Sequence, residues 1–328
     1  MSRSWAVGVD IGGTNVVVGL VRADGGGAVA LRSAPTASMG DAEGAVADIA
    51  TMVDEVISEG LGKVDGRRRD VAGIGIGCPG PLDLEAGVVL EPFNLDWKDF
   101  PLRERLSAAV DLPAHLDNDA NCATWGEYWQ GVGRGVRSLV GVTLGTGIGG
   151  GVVLDGRLVH GASSTAGEVG HMTIDVEGRP CKCGNRGCLE AYASGPNIAA
   201  RAREGVERGA VSTLSELAGG DPATITAATV YEAVVHGDAY AREVMEETAR
   251  ILGAGIANLV NILNPEMVVI VGGVTRAGAY LFDPLRAEVR QRAFPVAERA
   301  CRIVPGELPD TAGVIGAAGL FLAGRQAG

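Results

Sequence analysis

The sequence predicts an α/β fold in two domains. Three observations carry that prediction. The 328 residues exceed the usual size of one domain, short apolar runs alternate with helical periodicity, and one pattern, strand then glycine turn then strand, occurs twice. Val7 to Asp10, Ile11-Gly12-Gly13 and Val16 to Val21 make the first such hairpin. Leu139 to Leu144, the run Gly145-Thr146-Gly147-Ile148-Gly149-Gly150, and Gly151 to Leu154 make the second, so the chain reads as a structural duplication.

Between the hairpins, about Asp41 to Gly60 has the spacing of an acidic amphipathic helix, Val71 to Gly77 is a buried strand, and Cys78 to Pro81 is a Pro/Gly loop. A short helix around Leu102 to Val110, an extended segment Pro113 to Leu116 and a helical run through Trp125 and Tyr128 follow. Turns and cysteines fill the stretch to about Cys188, and a helical half comes next. Its clearest helix, about Tyr240 to Leu263, places Val244, Ile251, Leu252, Ile256, Leu259, Val260 and Leu263 on one stripe and stops before Pro265. Met267 to Val271 is a buried strand running into Gly272 and Gly273, and Ala312 to Leu322 closes the chain as a small-residue helix.

Composition narrows the class. A hydrophobic share of 46% and a charged share of 21% argue against disorder, and 51 glycines ask for tight turns and close backbone approaches. The net charge of −12 disfavours nucleic acid and anionic membrane as partners and favours a small molecule. Met1 to Asp10 has no basic segment leading into an apolar one, and no apolar run is long enough to span a bilayer, so a cytoplasmic location is expected. Three of the six cysteines fall within eight residues, which in a reducing compartment points to metal binding rather than disulfides.

Asp10-x-Gly-Gly-Thr14 puts a carboxylate at a strand end and exposes backbone N–H groups in a glycine turn, as phosphate oxygens and hydrated magnesium require. A turn made only for tightness is the alternative. Thr146-Gly147-Ile148-Gly149-Gly150 offers a second cradle, and neither is a Walker or Rossmann loop. Asp119, in Asp117-Asn118-Asp119-Ala120-Asn121, lies near a helix N-terminus; it is either an ionised functional carboxylate or a plain cap. Cys181, Cys183, Cys188 and His171 form a Cys3His tetrahedral set, hence a structural zinc site with no open position. Glu168 and Glu190 flank it, either as solvated surface or as acceptors for sugar hydroxyls.

Taken together, Asp10 to Thr14, Gly75 to Asp83, Asn94 to Trp97, Leu116 to Asn121, Leu144 to Gly151, Glu168 to His171, Cys181 to Glu190 and Asn264 to Val274 resemble the ROK family (repressor, open reading frame, kinase), of the glucokinase type. The resemblance implies a two-lobed ribonuclease H-like, actin-like ATPase fold with the active site in the cleft between the lobes. Residues 1–119, completed by a final helix over 312–328, would form one lobe, and residues 120–311, with a zinc-binding loop over 171–190, the other. It implies ATP-dependent phosphorylation of glucose at the 6-hydroxyl, with Asp119 as the base. Asn118, Glu168, His171 and Glu190 would hold the remaining hydroxyls, joined by Asn94 and Gly80. Asp10, Gly12, Gly13, Thr14, Thr146, Gly147, Gly272 and Gly273 would meet ATP, with Asp10 toward magnesium. A homodimer or homotetramer is implied too. One departure is Asn15, where many relatives carry Lys, so a charged contact to phosphate is not expected there.

Two rival readings follow from the same resemblance. A kinase of mannose, fructose, N-acetylglucosamine or N-acetylmannosamine would use the same side chains, and polyphosphate is an alternative donor. A sugar-responsive repressor would carry a helix-turn-helix before the first hairpin, where the first strand here begins near Trp5.

Overall fold

The computed structural model describes residues 4–92 and 95–326. In chain order the first part comprises β1 (Trp5–Ile11), β2 (Asn15–Arg22), β3 (Ala28–Pro35), α1 (Ala42–Lys63), β4 (Val71–Cys78), the short ribbon β5 (Leu82–Asp83) and β6 (Val88–Val89), α2 (Leu102–Val110), β7 (Ala114–Asn118) and α3 (Asp119–Trp129). The second hairpin follows as β8 (Leu139–Leu144) and β9 (Ile148–Leu154), with β10 (Arg157–Leu158) after it. The helical half holds α4 (Glu190–Ala193), α5 (Gly195–Glu207), α6 (Leu214–Leu217), α7 (Ala227–Val235) and α8 (Ala239–Leu263). The chain closes with β11 (Met267–Val271), α9 (Ala279–Arg292), α10 (Pro295–Ala300), β12 (Arg302–Pro305) and α11 (Ala312–Gln326).

The duplication is visible in the sheets. The first has the order β3-β2-β1-β4-β7 and the second β10-β9-β8-β11-β12, the same path through five strands. In the first sheet β1–β2 and β2–β3 are antiparallel, while β1–β4 and β4–β7 are parallel. Such parallel pairs need crossovers, and α1 and α2 provide them. Asp41 caps α1 by accepting from the N–H of Gly44 at 2.8 Å, and the helix buries Val46, Ile49, Val53, Val56 and Ile57 in the main core. Helix α8 is capped by Asp238 through the N–H of Ala241 at 2.8 Å, and ends with Asn264 in the left-handed region before Pro265.

The chain divides into two compact units, one of Met1–Gly141, Gly151–Gly167 and Gly306–Gly328, the other of Val142–Gly150 and Glu168–Pro305. This differs from the expected division at residues 119/120 and 311/312. The reason is α3, which packs along α11 within the first unit: a Cβ on Gly126 would overlap the Ala312 carbonyl oxygen, and one on Gly316 that of Cys122. The buried carboxylate of Glu127 adds to this by accepting the backbone N–H groups of Val132, Glu307 and Leu308 at 3.1, 3.0 and 2.8 Å. Helix α11 runs from Ala312 to Gln326, within the expected 312–328, and β9 starts earlier than expected, at Ile148, so Gly149 and Gly150 belong to a strand rather than a turn. No helix among the described residues is long and apolar enough to cross a membrane.

Candidate active site

In the first unit the site starts at the end of β1. Gly12 donates to the Asn15 carbonyl at 2.9 Å, closing the turn into β2. Thr36 clamps that turn, donating its Oγ1 to the Gly12 carbonyl at 2.7 Å and its N–H to the Thr14 carbonyl at 2.9 Å. Gly13 and Thr14 are thereby held exposed. Asp10, half-buried below them, faces the first turn of α11 so closely that a Cβ on Gly313 would overlap its carboxylate. Burial raises the Asp10 carboxyl to about 7, and the charge of Asp119 adds to the rise.

Asp119 opens α3, but Asn118 caps it. The Asn118 side-chain oxygen accepts from the N–H groups of Ala120 and Asn121 at 2.9 and 3.2 Å. The Asp119 carboxylate accepts from Ala120 as well, at 2.9 Å, so the helix cap does not rest on it alone. Asn118 is the residue that also reaches the N–H of Asn121. A Cβ on Gly80 would stand 3.8 Å from the Asn118 amide nitrogen, which brings those two expected sugar contacts together. Asn94 lies outside the described residues.

The second unit holds the other set. His171 Nδ1 lies 3.8 Å from Cys181 Sγ, and Cys183 Sγ lies 3.7 Å from Cys188 Sγ. All four ligand atoms fall within 4.8 Å of one another, and the cysteines are unbonded to each other. Sulfurs about 2.3 Å from a tetrahedral zinc stand about 3.8 Å apart, which this set matches. Burial, with the neighbouring Cys183 and Cys181 thiols adding to it, pushes Cys188 up to about 12, so this thiol resists ionising without a cation, while at Cys183 burial is outweighed by hydrogen bonds, which lower it. The other ring nitrogen of His171, Nε2, faces Glu168 at 3.9 Å.

Glu190 begins α4, and its Oε2 accepts the N–H of Ile148 at 2.8 Å. That bond anchors the carboxylate on the second glycine turn, and a Cβ on Gly147 would meet Oε2 at 2.6 Å. Gly147 was expected to serve ATP alone; here it also borders an expected sugar contact. Thr146 is exposed at the tip, and Gly145 accepts from the N–H of Gly195 at 2.9 Å. Gly272, with φ at 103°, packs on the Leu144 carbonyl where a Cβ would not fit, and Gly273 next to it has open space.

The model of the ROK family matches residues 6–323. The chain belongs to the ROK family. A ROK relative named glucokinase, from Halalkalibacterium halodurans, is 39% identical over 317 residues, covering 96% of this chain and 94% of that protein. The crystal structure of a ROK family glucokinase from Streptomyces griseus, in complex with glucose and AMPPNP, superposes with a TM-score of 0.84 at 34% identity, covering 96% of this chain and 98% of that one. A xylose repressor from Caldicellulosiruptor bescii is 36% identical over 262 residues, 80% of this chain and 65% of the repressor. The expected α/β, ribonuclease H-like and actin-like fold in two lobes is that of these ROK glucokinases.

Thr36 was not singled out by the sequence, because its hydroxyl and N–H bind backbone carbonyls twenty-two or more residues away and leave no motif. Asp10 yields a pH prediction. Its folded-state value stands above its unfolded value near 4, so the folded chain holds the proton more tightly and the ionised group works against folding. The penalty grows as pH rises from about 4 to about 7. In metal-free buffer, Asp10→Asn should melt above the parent chain at pH 8, with the gap narrowing toward pH 5 and shrinking when magnesium is added. A gap equal at both pH values would contradict the assignment.

Proposed function

We propose that the chain transfers the γ-phosphoryl group of ATP to the 6-hydroxyl of glucose. The observation that carries this reading is the pair of carboxylates in the first unit. Asp119 stands at the first position of a helix already capped by Asn118, and its charge reaches a second carboxylate, Asp10, beneath a clamped glycine turn. The glucokinase relatives support glucose and ATP as substrates.

Asp119 accepts the proton of the sugar hydroxyl as its oxygen forms a bond to the γ-phosphorus and the bond to the ADP oxygen breaks. Asn118, Gly80, Asn94, Glu168, His171 and Glu190 hold and orient the sugar. Backbone N–H groups of the turns at Gly12 to Thr14 and Thr146 to Gly147, with Gly272 and Gly273, receive the nucleotide. Magnesium, held through Asp10, supplies neutralisation of phosphate charge when bound, and the raised Asp10 carboxyl fits a place made for a cation. Asn15 offers no cation to the phosphates, so the backbone must do that work in the first turn.

Zinc fits the Cys3His set as a structural ion. His171 would bind it through Nδ1, which fixes the proton on Nε2 and aims a donor at Glu168 and a sugar oxygen. The protein should contain about one zinc per chain, as one four-ligand set requires. Cys188→Ala should lose that zinc, by elemental analysis, together with most glucose phosphorylation; full activity in a zinc-free chain would overturn the coupling.

The base is tested by Asp119→Asn. With glucose and ATP in a coupled assay, turnover should fall at least about 100-fold, while glucose still binds, because the amide keeps the shape and takes no proton. Near-normal turnover would remove Asp119 from the mechanism.

A further inference from the structure

Asp117 has no role in the reaction as described, yet it is fully buried at the end of β7, two residues before the base. A carboxylate in that position is tolerated only with partners, and its partners are specific. Its Oδ1 accepts the backbone N–H of Asn118 at 2.8 Å and the side-chain amide of Asn121 at 2.9 Å. Its Oδ2 meets His160 Nε2 at 2.8 Å and lies 3.7 Å from His115 Nε2. Asn118 and Asn121 flank Asp119, so one carboxylate grips the chain on both sides of it.

His160 comes from the loop after β10, forty-three positions away in sequence. Its carbonyl accepts from Ala166 at 3.0 Å, which closes a loop that runs on toward Glu168. The half-exposed imidazole is the partner that turns the buried carboxylate in one direction, since a point of charge at Oδ2 leaves Oδ1 for Asn118 and Asn121.

We propose that Asp117 and His160 are a positioning pair that fixes the Asn118–Asp119 corner for proton transfer. The inference rests on the reading of Asp119 as the base. Burial alone would push the Asp117 carboxyl up; hydrogen bonds from His115 and His160, with the charge of His160 and the Asn121 amide, hold it well below the usual carboxylate range. The bond from Asp117 raises His160 above the ordinary histidine value against the opposing effect of its burial. The other titratable groups facing the pair are His115 on β7 and Cys122 on α3, whose thiol burial and the Asp117 charge push up and so keep neutral.

The test combines kinetics with a readout independent of activity. His160→Ala should lower kcat for glucose phosphorylation about 10- to 100-fold, the scale set by misplacing a reacting group, with much less change in the KM for glucose. His160→Gln, which restores an N–H donor, should recover most of the loss. Proton NMR of the His160 ring should show it titrating above free histidine in the parent chain and falling back in Asp117→Asn. Unchanged kcat in His160→Ala, a loss that Gln does not rescue, or an unshifted imidazole would each overturn the pair. A parent chain inactive on every sugar would instead overturn the reading of Asp119, and with it the positioning role, while the imidazole titration would still show whether the pair exists.

Discussion

The first unit depends on backbone touching backbone along α11. A Cβ on Gly8 of β1 would overlap the Val314 carbonyl oxygen, and one on Gly75 of β4 that of Ala317. Gly126 of α3 and Gly316 of α11 are under the same constraint from each other's helices. Glycine removes the side chain that would keep these elements apart, and the short approach gains dispersion contact and Cα–H···O interactions in return for the entropy of glycine. The functional consequence is local. With α11 this close, Gly313 shields Asp10 from water and burial raises its carboxyl, while α3 is drawn in so that the charge of Asp119 is felt at Asp10. The large glycine count therefore buries and pairs the carboxylates as well as making turns.

The second unit solves a different problem. The stretch from Glu168 to Cys188 has little regular structure, a single 3-10 turn at Val169–His171 and a few isolated bridges. A metal cluster can substitute for the core that such a loop lacks. Its end is tied down by Glu190, which reaches back to the N–H of Ile148 beside Gly147. One carboxylate thus borders both the glycine turn proposed for phosphate and the residues proposed for sugar. A side chain added at Gly147 would therefore displace the Glu190 carboxylate.

Much of this was legible in the sequence where the signal was local. The two hairpins, the helix stop at Pro265, the cysteine spacing and the strand into Gly272 all follow from spacing and residue type, and the structure has them. The boundary between units was not legible, because it depends on α3 packing against a helix almost two hundred residues later. Asp119 was ambiguous as cap or functional carboxylate, since both readings need an acid at a helix start, and in the structure Asn118 and Asp119 both accept the Ala120 N–H. Thr36 carries no motif, and the Asp117–His160 bond joins residues that no pattern links. Gly149 and Gly150 were read as turn because glycine suggests one, but they follow Ile148, whose buried side chain and bonded N–H start the strand early.

The proposed reaction is transfer of a phosphoryl group from ATP to the 6-hydroxyl of glucose, with Asp119 as the base. Phosphorus-31 NMR of the parent chain with ATP, magnesium and glucose tests it most directly, since it follows donor and product at once and identifies the oxygen that has been phosphorylated. A glucose 6-phosphate resonance should grow in step with ADP, with little inorganic phosphate. Release of inorganic phosphate without a phosphosugar, or phosphate on a hydroxyl other than the sixth, would contradict it.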